Sequence, residues 1–128
     1  MKSDLGKLIL RIVFGGFMMF GHGWGKMMKL FTGDPTKFAD PIGLGAPTSL
    51  GLTVFSEVFC AALILVGLFT RFVSIPLIIT MLVAAFIIHG ADPFGDKEMA
   101  LIYLFGYIAI YLLGPGKYSL DAQMRGEI

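Results

Sequence analysis

Four long apolar segments, separated by polar turns, constrain the fold of this chain more than any other feature of its sequence. They cover residues 5–28, 50–69, 72–89 and 97–113. A helix of about 20 apolar residues crosses a bilayer, and about 17 residues are still enough. Charged residues make up only 15% of the 128 residues and hydrophobic residues 56%. A soluble domain of this size could not bury that many hydrophobic side chains. The sequence therefore predicts an all-α fold: a single four-helix transmembrane bundle without a separate soluble domain.

The connections between the segments predict their topology. The turn Thr70-Arg71, the cluster over residues 90–96 and the helix stop Gly114-Pro115-Gly116 are all short, which predicts antiparallel neighbours with up-down connectivity. Only the connection over residues 29–49 is long, and it mixes three prolines with apolar residues. Such a segment either covers the bundle or forms a solvated loop.

The distribution of lysine and arginine predicts the orientation in the membrane. The side with both chain ends carries six of them and the other side carries four, namely Lys2, Lys7, Arg11, Arg71, Lys117 and Arg125 against Lys26, Lys29, Lys37 and Lys97. Cytoplasmic flanks are enriched in these residues, so both termini are predicted to be cytoplasmic. A net charge of +1 without basic runs argues against a nucleic acid as partner.

Ionisable residues inside the apolar segments are the candidates for function. Charged groups in a membrane span are costly and usually face the interior of the bundle or a wet cavity. Alternating helix directions place four of the candidates in one half of the bundle, and Glu57 lies deepest, roughly 4 Å from the centre at the rise of an α-helix. The four are His22, Glu57, His89 and Glu98. We therefore expect a polar pocket around His22 and Glu57 that opens to the outer side.

Each of these residues has a predicted functional role, and some of them also have a structural alternative. Glu57 is the predicted buried proton acceptor and His22 its partner or proton shuttle, with predicted substrate contacts from His89, Glu98, Arg11 and Tyr103. The helix dipole alone would favour Glu98 at the start of a helix and a protonated His89 at the end of one, without any functional role. Cys60, the single cysteine, is read as a small core residue, although a redox role stays open.

Three chemistries suit such a pocket. The side chains of His22, His89, Glu57 and Glu98 could ligate a metal, but no HxxxH, ExxH or CxxC spacing is present and we assign no metal site. A haem between His22 and His89 is disfavoured because their depths differ by roughly one helical turn. A lipophilic small molecule such as a quinone fits well, because a carboxylate and an imidazole handle its protons.

Several short motifs resemble the DoxX family of small four-helix membrane proteins. The likeness runs in order along nearly the whole chain. It comprises Arg11-x3-Gly15, His22-Gly23-x2-Lys26, Phe38, Gly43-Leu44-Gly45-Ala46-Pro47, Glu57, Val66-Gly67-Leu68-Phe69-Thr70-Arg71, His89, Glu98 and Gly114-Pro115-Gly116-x-x-Ser119-Leu120-Asp121. The connection GADPFGD before the fourth segment is shorter than the Asn/Gly-rich stretch that family members often have there.

The resemblance implies a four-helix transmembrane bundle in the inner membrane of a prokaryote. The family is named for its likeness to a small subunit of an archaeal quinone-linked oxidase system. It therefore implies a subunit or quinone-binding module of a membrane oxidoreductase, acting with partner oxidoreductase proteins or as a homo-oligomer. The alternatives are a non-enzymatic binder or transporter of a small lipophilic or acidic solute, and a structural membrane subunit.

Overall fold

The computed structural model describes residues 2–33 and 43–124, and within these ranges the chain is all-helical without a β-strand. We number its helices α1 to α5. They span Lys2–Thr32 (α1), Ala46–Val66 (α2), Thr70–Ile88 (α3), Phe94–Leu113 (α4) and Leu120–Met124 (α5). The all-α fold predicted from the sequence is confirmed. The middle of the long connection, residues 34–42 with Lys37 and Phe38, lies outside the described residues, as does Arg125.

Three of these helices, α1, α2 and α3, are long and apolar enough to cross a membrane. Helix α4 has 20 residues, but its N-terminal part carries Asp96, Lys97 and Glu98. The outer surface of the molecule is strongly apolar, since Phe20, Phe31, Phe72, Phe105 and Leu112 are all exposed. Exposed apolar surface on this scale marks a lipid or protein interface, so the helices fit a membrane environment.

Helix α2 ends at Val66, three residues before the predicted end of the second apolar segment. Gly67 has φ +76°, a left-handed conformation that favours glycine and stops the helix. Its N–H and that of Leu68 donate to the carbonyl of Leu63 at 2.8 and 2.9 Å. The apolar residues at 68 and 69 therefore extend the hydropathy signal without extending the helix.

Neighbouring helices run in opposite directions, as their contacts along α1 show. Helix α1 lies close against α2, where Gly15 faces Ala61 and Leu65 and Gly23 faces Glu57. On its other side, the Tyr107 hydroxyl of α4 donates to the carbonyl of Phe14 at 2.8 Å. The buried core fills the space between α1, α2, α3 and α4, and includes Met18, Ile64, Leu77, Met81, Tyr107 and Ile110.

Buried Arg11 ties the end of the bundle near the chain termini together. Its side chain is 99% buried, with 1% exposed. Nε donates to the carbonyl of Pro115 at 3.0 Å, and Nη1 to that of Leu65 at 3.0 Å. Nη2 donates to the carbonyl of Tyr118. One guanidinium thus joins α1, the end of α2 and the segment after α4.

Candidate functional site

Glu57 sits in the middle of α2 and is 2% exposed. Its carboxylate is paired with Lys26 of α1, whose Nζ lies 2.7 Å from Oε1 and 2.9 Å from Oε2. The close approach of the two helices makes this pair possible, because a Cβ on Gly23 would lie only 2.5 Å from the carbonyl oxygen of Glu57. Glycine at this position therefore brings Lys26, one turn further along α1, within reach of the carboxylate.

The sequence predicts His22 as the partner of Glu57 or as its proton shuttle, and in the structure this imidazole contacts another helix. Its ring stands edge-on to Tyr103 of α4, with centroids 5.4 Å apart. Lys26 lies one turn closer to the C-terminal end of α1 and has a longer, more flexible side chain, so it reaches the carboxylate instead. The signal for this pair was present in the sequence, since Lys26 and His22 are four residues apart on one helical face.

A polar cavity of about 180 Å³ brings four of the six predicted site residues together. Helices α1 to α4 all contribute to its wall. The predicted residues are His22, Glu57, His89 and Tyr103, and the wall also contains Lys26, Asp96, Met18, Met81, Ala84, Met99 and Ala100. Two carboxylates, an ammonium, two imidazoles and a phenol thus surround one small space that is otherwise apolar.

His89 lies at the mouth of this cavity, where α3 ends. Its Nδ1 is 2.9 Å from Oδ2 of Asp92, and both side chains are partly exposed. The neighbouring Lys97 donates to the carbonyl of Gly90 at 3.2 Å. The polar residues of the mouth therefore connect the cavity to the surface of the molecule.

Glu98 and Arg11 lie apart from the cavity, so their predicted substrate contacts stay predictions. Glu98 is exposed on α4, and Asp96 lines the cavity in its place. Helical spacing explains the difference, because 96, 99, 100 and 103 follow the i, i+3, i+4, i+7 pattern of one face. Arg11 is engaged by three backbone carbonyls at the other end of the bundle.

A second cavity of about 160 Å³ lies between α2 and α3. Its wall is mostly apolar, with Leu52, Ile79, Val83 and Ile88, and includes the polar residues Ser49, Thr53 and Thr80. It shares Lys26, Glu57 and Ala84 with the polar cavity. The ion pair of Lys26 and Glu57 therefore forms the wall between an apolar cleft and a polar cavity.

Wide helical turns of the π type coincide with the candidate site. They cover Met19–Gly23, Phe55–Cys60 and Ala84–Ile88. The first contains His22, the second contains Glu57 and the third ends next to His89. Such turns interrupt the regular i→i−4 hydrogen bonds and occur frequently at functional sites. Another π-helical turn, Ile12–Phe17, lies nearer the chain termini.

Cys60 does not line either cavity, and the described residues form no metal-binding group. The thiol of Cys60 is free and buried in the core of the bundle. Within residues 2–33 and 43–124, no three His, Cys, Asp or Glu side chains are grouped so that they could hold a metal ion.

Apolar helices of membrane-spanning length around a buried ion pair define an α-helical membrane protein with an internal polar site. The comparison with models of protein families identifies the family to which this membrane protein belongs. The model of the family described as DoxX matches residues 6–90, which is most of the chain, and the chain therefore belongs to the DoxX family. The match covers α1, α2 and α3 and ends directly after His89. No curated protein and no solved structure matches this chain.

Proposed function

We propose that this protein is a quinone-binding module, or a subunit, of a membrane oxidoreductase system. The observation that carries the proposal is the Lys26–Glu57 pair, which separates an apolar cleft from a polar cavity. A lipophilic ring in the cleft would meet an ammonium and a carboxylate at its polar edge. The polar cavity behind them would connect these groups to the outer side.

The size and lining of the cleft support a single-ring head group. A cavity of about 150 Å³ lined by aliphatic side chains accepts one benzene ring, and the cleft has about 160 Å³. Leu52, Ile79 and Val83 would contact the faces of the ring. The cleft lies between two helices whose outer surfaces are apolar, so an isoprenoid tail would extend from it between the helices and the lipid.

The residues of the ion pair have complementary chemical roles in this proposal. A quinone accepts two electrons and two protons when it is reduced to the quinol, and a partner oxidoreductase would supply the electrons. Nζ of Lys26 would donate a hydrogen bond to a ring carbonyl. Glu57 would hold and pass on protons. His22, Tyr103 and His89 would form the proton route through the polar cavity to the outer side.

The same proposal includes the placement in the membrane. Helix α4 would be the fourth crossing, completing an antiparallel four-helix transmembrane bundle in the cytoplasmic membrane of a prokaryote. Both termini would then be cytoplasmic, on the side that carries more lysine and arginine. Asp96, Lys97 and Glu98 at the start of α4 would lie at the outer membrane surface, where charged residues meet water and head groups.

A second candidate function is the binding or transport of a small acidic solute by the same pocket. The side chain of Lys26 is 31% exposed while that of Glu57 is almost fully buried. A solute carboxylate could therefore reach the ammonium without displacing Glu57. Binding of a short-chain ubiquinone but not of a medium-chain fatty acid favours the quinone function. The reverse result favours the binding of an acidic solute.

Two variants test the quinone proposal through separate measurements. Lys26→Met removes the donor to the ring carbonyl, and loss of one hydrogen bond from a charged group weakens binding about tenfold or more. Quenching of Trp24, the single tryptophan, by a short-chain ubiquinone measures this affinity in nanodiscs. Lys29→Met, an exposed lysine on the same helix, is the matched control and should bind as wild type does.

Glu57→Gln should leave ubiquinone binding within about threefold of the wild type, because the amide keeps the polar contact to Lys26. It should abolish quinone-linked electron transfer in membranes that contain the protein, because an amide does not carry the proton. Asp4→Asn, which changes a carboxylate of α1 outside both cavities, is the control. Full electron transfer in Glu57→Gln, or unchanged ubiquinone binding in Lys26→Met, would contradict the proposal.

A further inference from the structure

A cationic cavity lies at the opposite end of the bundle from Glu57. It has a volume of about 400 Å³ and is formed by α1, the start of α3 and the segment after α4. Its lining consists of Lys7, Arg71, Lys117, Asp4, Leu113, Pro115 and Gly116. Lys7 and Lys26 are 19 residues apart on one helix, roughly 28 Å along its axis, so this cavity is separate from the candidate functional site.

The backbone around Gly114 positions the arginine of this cavity. Nε of Arg71 donates to the carbonyl of Tyr111, near the end of α4, at 3.1 Å. Gly114 has φ +83°, and a Cβ at this position would lie 2.9 Å from Nη2 of Arg71. The guanidinium therefore lies directly on the glycine backbone and is held beside the cavity by a carbonyl at the C-terminal end of a helix.

The two lysines are placed by α1 and by the segment that follows Gly114. A Cβ on Gly116 would lie 3.0 Å from Cβ of Lys7, so this segment contacts α1 directly. The backbone N–H of Lys117 donates to Oδ1 of Asp4 at 3.1 Å. Asp4 thus fixes the backbone that carries Lys117, and the three cations come from three separate parts of the chain.

The charges of this cavity are unbalanced. Three cations face a single carboxylate, that of Asp4, so the cavity has an excess of positive charge. The side-chain ion pairs between residues of the ranges 2–33 and 43–124 join Lys26 to Glu57 and His89 to Asp92, and they involve none of Lys7, Arg71 and Lys117. Among the described residues, no side-chain ion pair neutralises these three cations, and such a potential attracts anions.

Apolar residues accompany these cations, one in the cavity wall and others next to lining residues in the sequence. Leu113 belongs to the cavity wall itself. Phe72, next to Arg71, is 77% exposed, and Leu112 is 69% exposed. A ligand that lies here would meet cations at its head and an apolar surface along its body, which is the pattern of a phospholipid at a membrane interface.

We propose that the cavity of Lys7, Arg71 and Lys117 binds a phosphate group, and that an anionic phospholipid of the membrane supplies it. The guanidinium of Arg71 provides a planar fork of donors for two phosphate oxygens, and the lysines add point charges on either side. The acyl chains lie along Phe72 and Leu112. Basic pockets between helices on the cytoplasmic side are well suited to such head groups.

Native mass spectrometry of the detergent-solubilised protein with dioleoyl-phosphatidylglycerol tests this site. Each removed cation near a membrane surface weakens the binding of an anionic lipid about fivefold. Lys7→Gln and Lys117→Gln should each show this loss, and Lys7→Gln/Arg71→Gln/Lys117→Gln should lose more than about fiftyfold. Arg71→Lys keeps the charge and separates the loss of the planar fork from the loss of charge.

The controls use lysines at the other end of the molecule and two further ligands. Lys29→Gln and Lys97→Gln should bind phosphatidylglycerol as wild type does, and dioleoyl-phosphatidylcholine should bind without dependence on the three cations. Far-UV circular dichroism establishes that each variant is folded. Phosphatidylglycerol binding that the triple variant retains, or that Lys29→Gln loses equally, would overturn the proposal.

Inorganic phosphate distinguishes the source of the phosphate group. If the membrane lipid is the ligand, millimolar phosphate leaves phosphatidylglycerol bound, because free phosphate lacks the contacts to Phe72 and Leu112. The cavity binds free phosphate if phosphate displaces the lipid from the wild-type protein and stabilises that protein against heating, while the triple variant is not stabilised. That outcome would overturn the assignment to a lipid.

Discussion

Among the residues that the structure describes, Arg11 and Glu57 are the two charged groups buried almost completely, and they are stabilised by different kinds of partner. The guanidinium of Arg11 donates to three backbone carbonyls, which are neutral and fixed by the fold. Glu57 instead shares an ion pair with one side chain, Lys26, that is partly exposed. A neutral, fixed set of acceptors suits a structural role, whereas a single mobile partner can exchange its contact for a ligand.

This difference predicts the stability of variants of the ion pair. Lys26→Met removes the cation that contacts Glu57 and should lower the free energy of unfolding by about 2 kcal/mol. This is less than the roughly 3–5 kcal/mol for a fully buried pair, because Lys26 is partly exposed. Lys26→Met/Glu57→Gln removes both charges and should recover most of that loss. Denaturation of the detergent-solubilised protein measures four free energies of unfolding, those of the wild type, Lys26→Met, Glu57→Gln and the double variant.

A double-mutant cycle compares these free energies of unfolding and measures the energetic coupling between Lys26 and Glu57. Recovery of stability in the double variant means that the cost of Lys26→Met comes from the buried, unpaired carboxylate. If instead the losses of Lys26→Met and Glu57→Gln simply add, the two groups are not energetically coupled and the observed 2.7 Å contact contributes no net stability.

The sequence predicts that Glu57 is buried, as it is in the structure, and predicts His22 as its partner or proton shuttle, whereas its carboxylate contacts Lys26. A carboxylate near the centre of an apolar segment has to face the protein interior, and this follows from hydropathy alone. The choice between His22 and Lys26 depends on how closely α1 approaches α2, which the sequence does not specify. The contribution of Asp96 rather than Glu98 to the cavity wall likewise depends on the rotation of α4 about its axis.

Among the helices, the contact between α1 and α2 predicts a contrast among four glycines of α1. A Cβ on Gly15 would lie 2.8 Å from the carbonyl oxygen of Ala61, and one on Gly23 would lie 2.5 Å from that of Glu57. A Cβ on Gly21 or Gly25 would have no neighbour within 4 Å. The first pair faces backbone that cannot easily move, and the second pair faces outward.

Gly15→Ala and Gly23→Ala should therefore each lower the free energy of unfolding by about 1–3 kcal/mol, the usual cost of overpacking. Gly21→Ala and Gly25→Ala should be neutral or slightly stabilising, because alanine favours helix more than glycine does. Thermal unfolding in detergent compares the four variants under identical conditions. Equal stability of all four would mean that α1 and α2 do not pack as closely as the structure places them.

The ends of the helices show a limit of prediction from local sequence. The four apolar segments predicted the positions of α1 to α4 to within four residues at each end, because hydropathy follows helix interiors. The start of α3 is capped from a distance, since Asp121 accepts hydrogen bonds from the N–H groups of Phe69 and Thr70 at 2.8 and 3.0 Å. The cap lies 51 residues beyond Thr70, so no local motif indicates it.

In the whole molecule, the two ends of the bundle have different organisation. The end near the chain termini is rigidly connected, with Arg11 and Asp121 joining α1, α2, α3 and the segment that follows α4. The other end contains the two cavities, the wide turns at His22 and Glu57, and the ion pair. A connected end and an end with cavities are what the proposed function expects of a bundle that admits a ligand from one side.

The topology of the whole bundle depends on whether α4 crosses the membrane, and labelling of single cysteines decides it. Cys60 is buried, and Cys60→Ala provides the cysteine-free background. Lys29→Cys, Asp92→Cys and Gln123→Cys each add one exposed position, in the last turn of α1, between α3 and α4, and after α4. With four crossings, a membrane-impermeant maleimide labels positions 29 and 92 on intact bacterial cells that express the protein, and labels position 123 only after permeabilisation. Labelling of positions 92 and 123 from the same side would mean that α4 does not cross, and would leave the chain ends on opposite sides of the membrane.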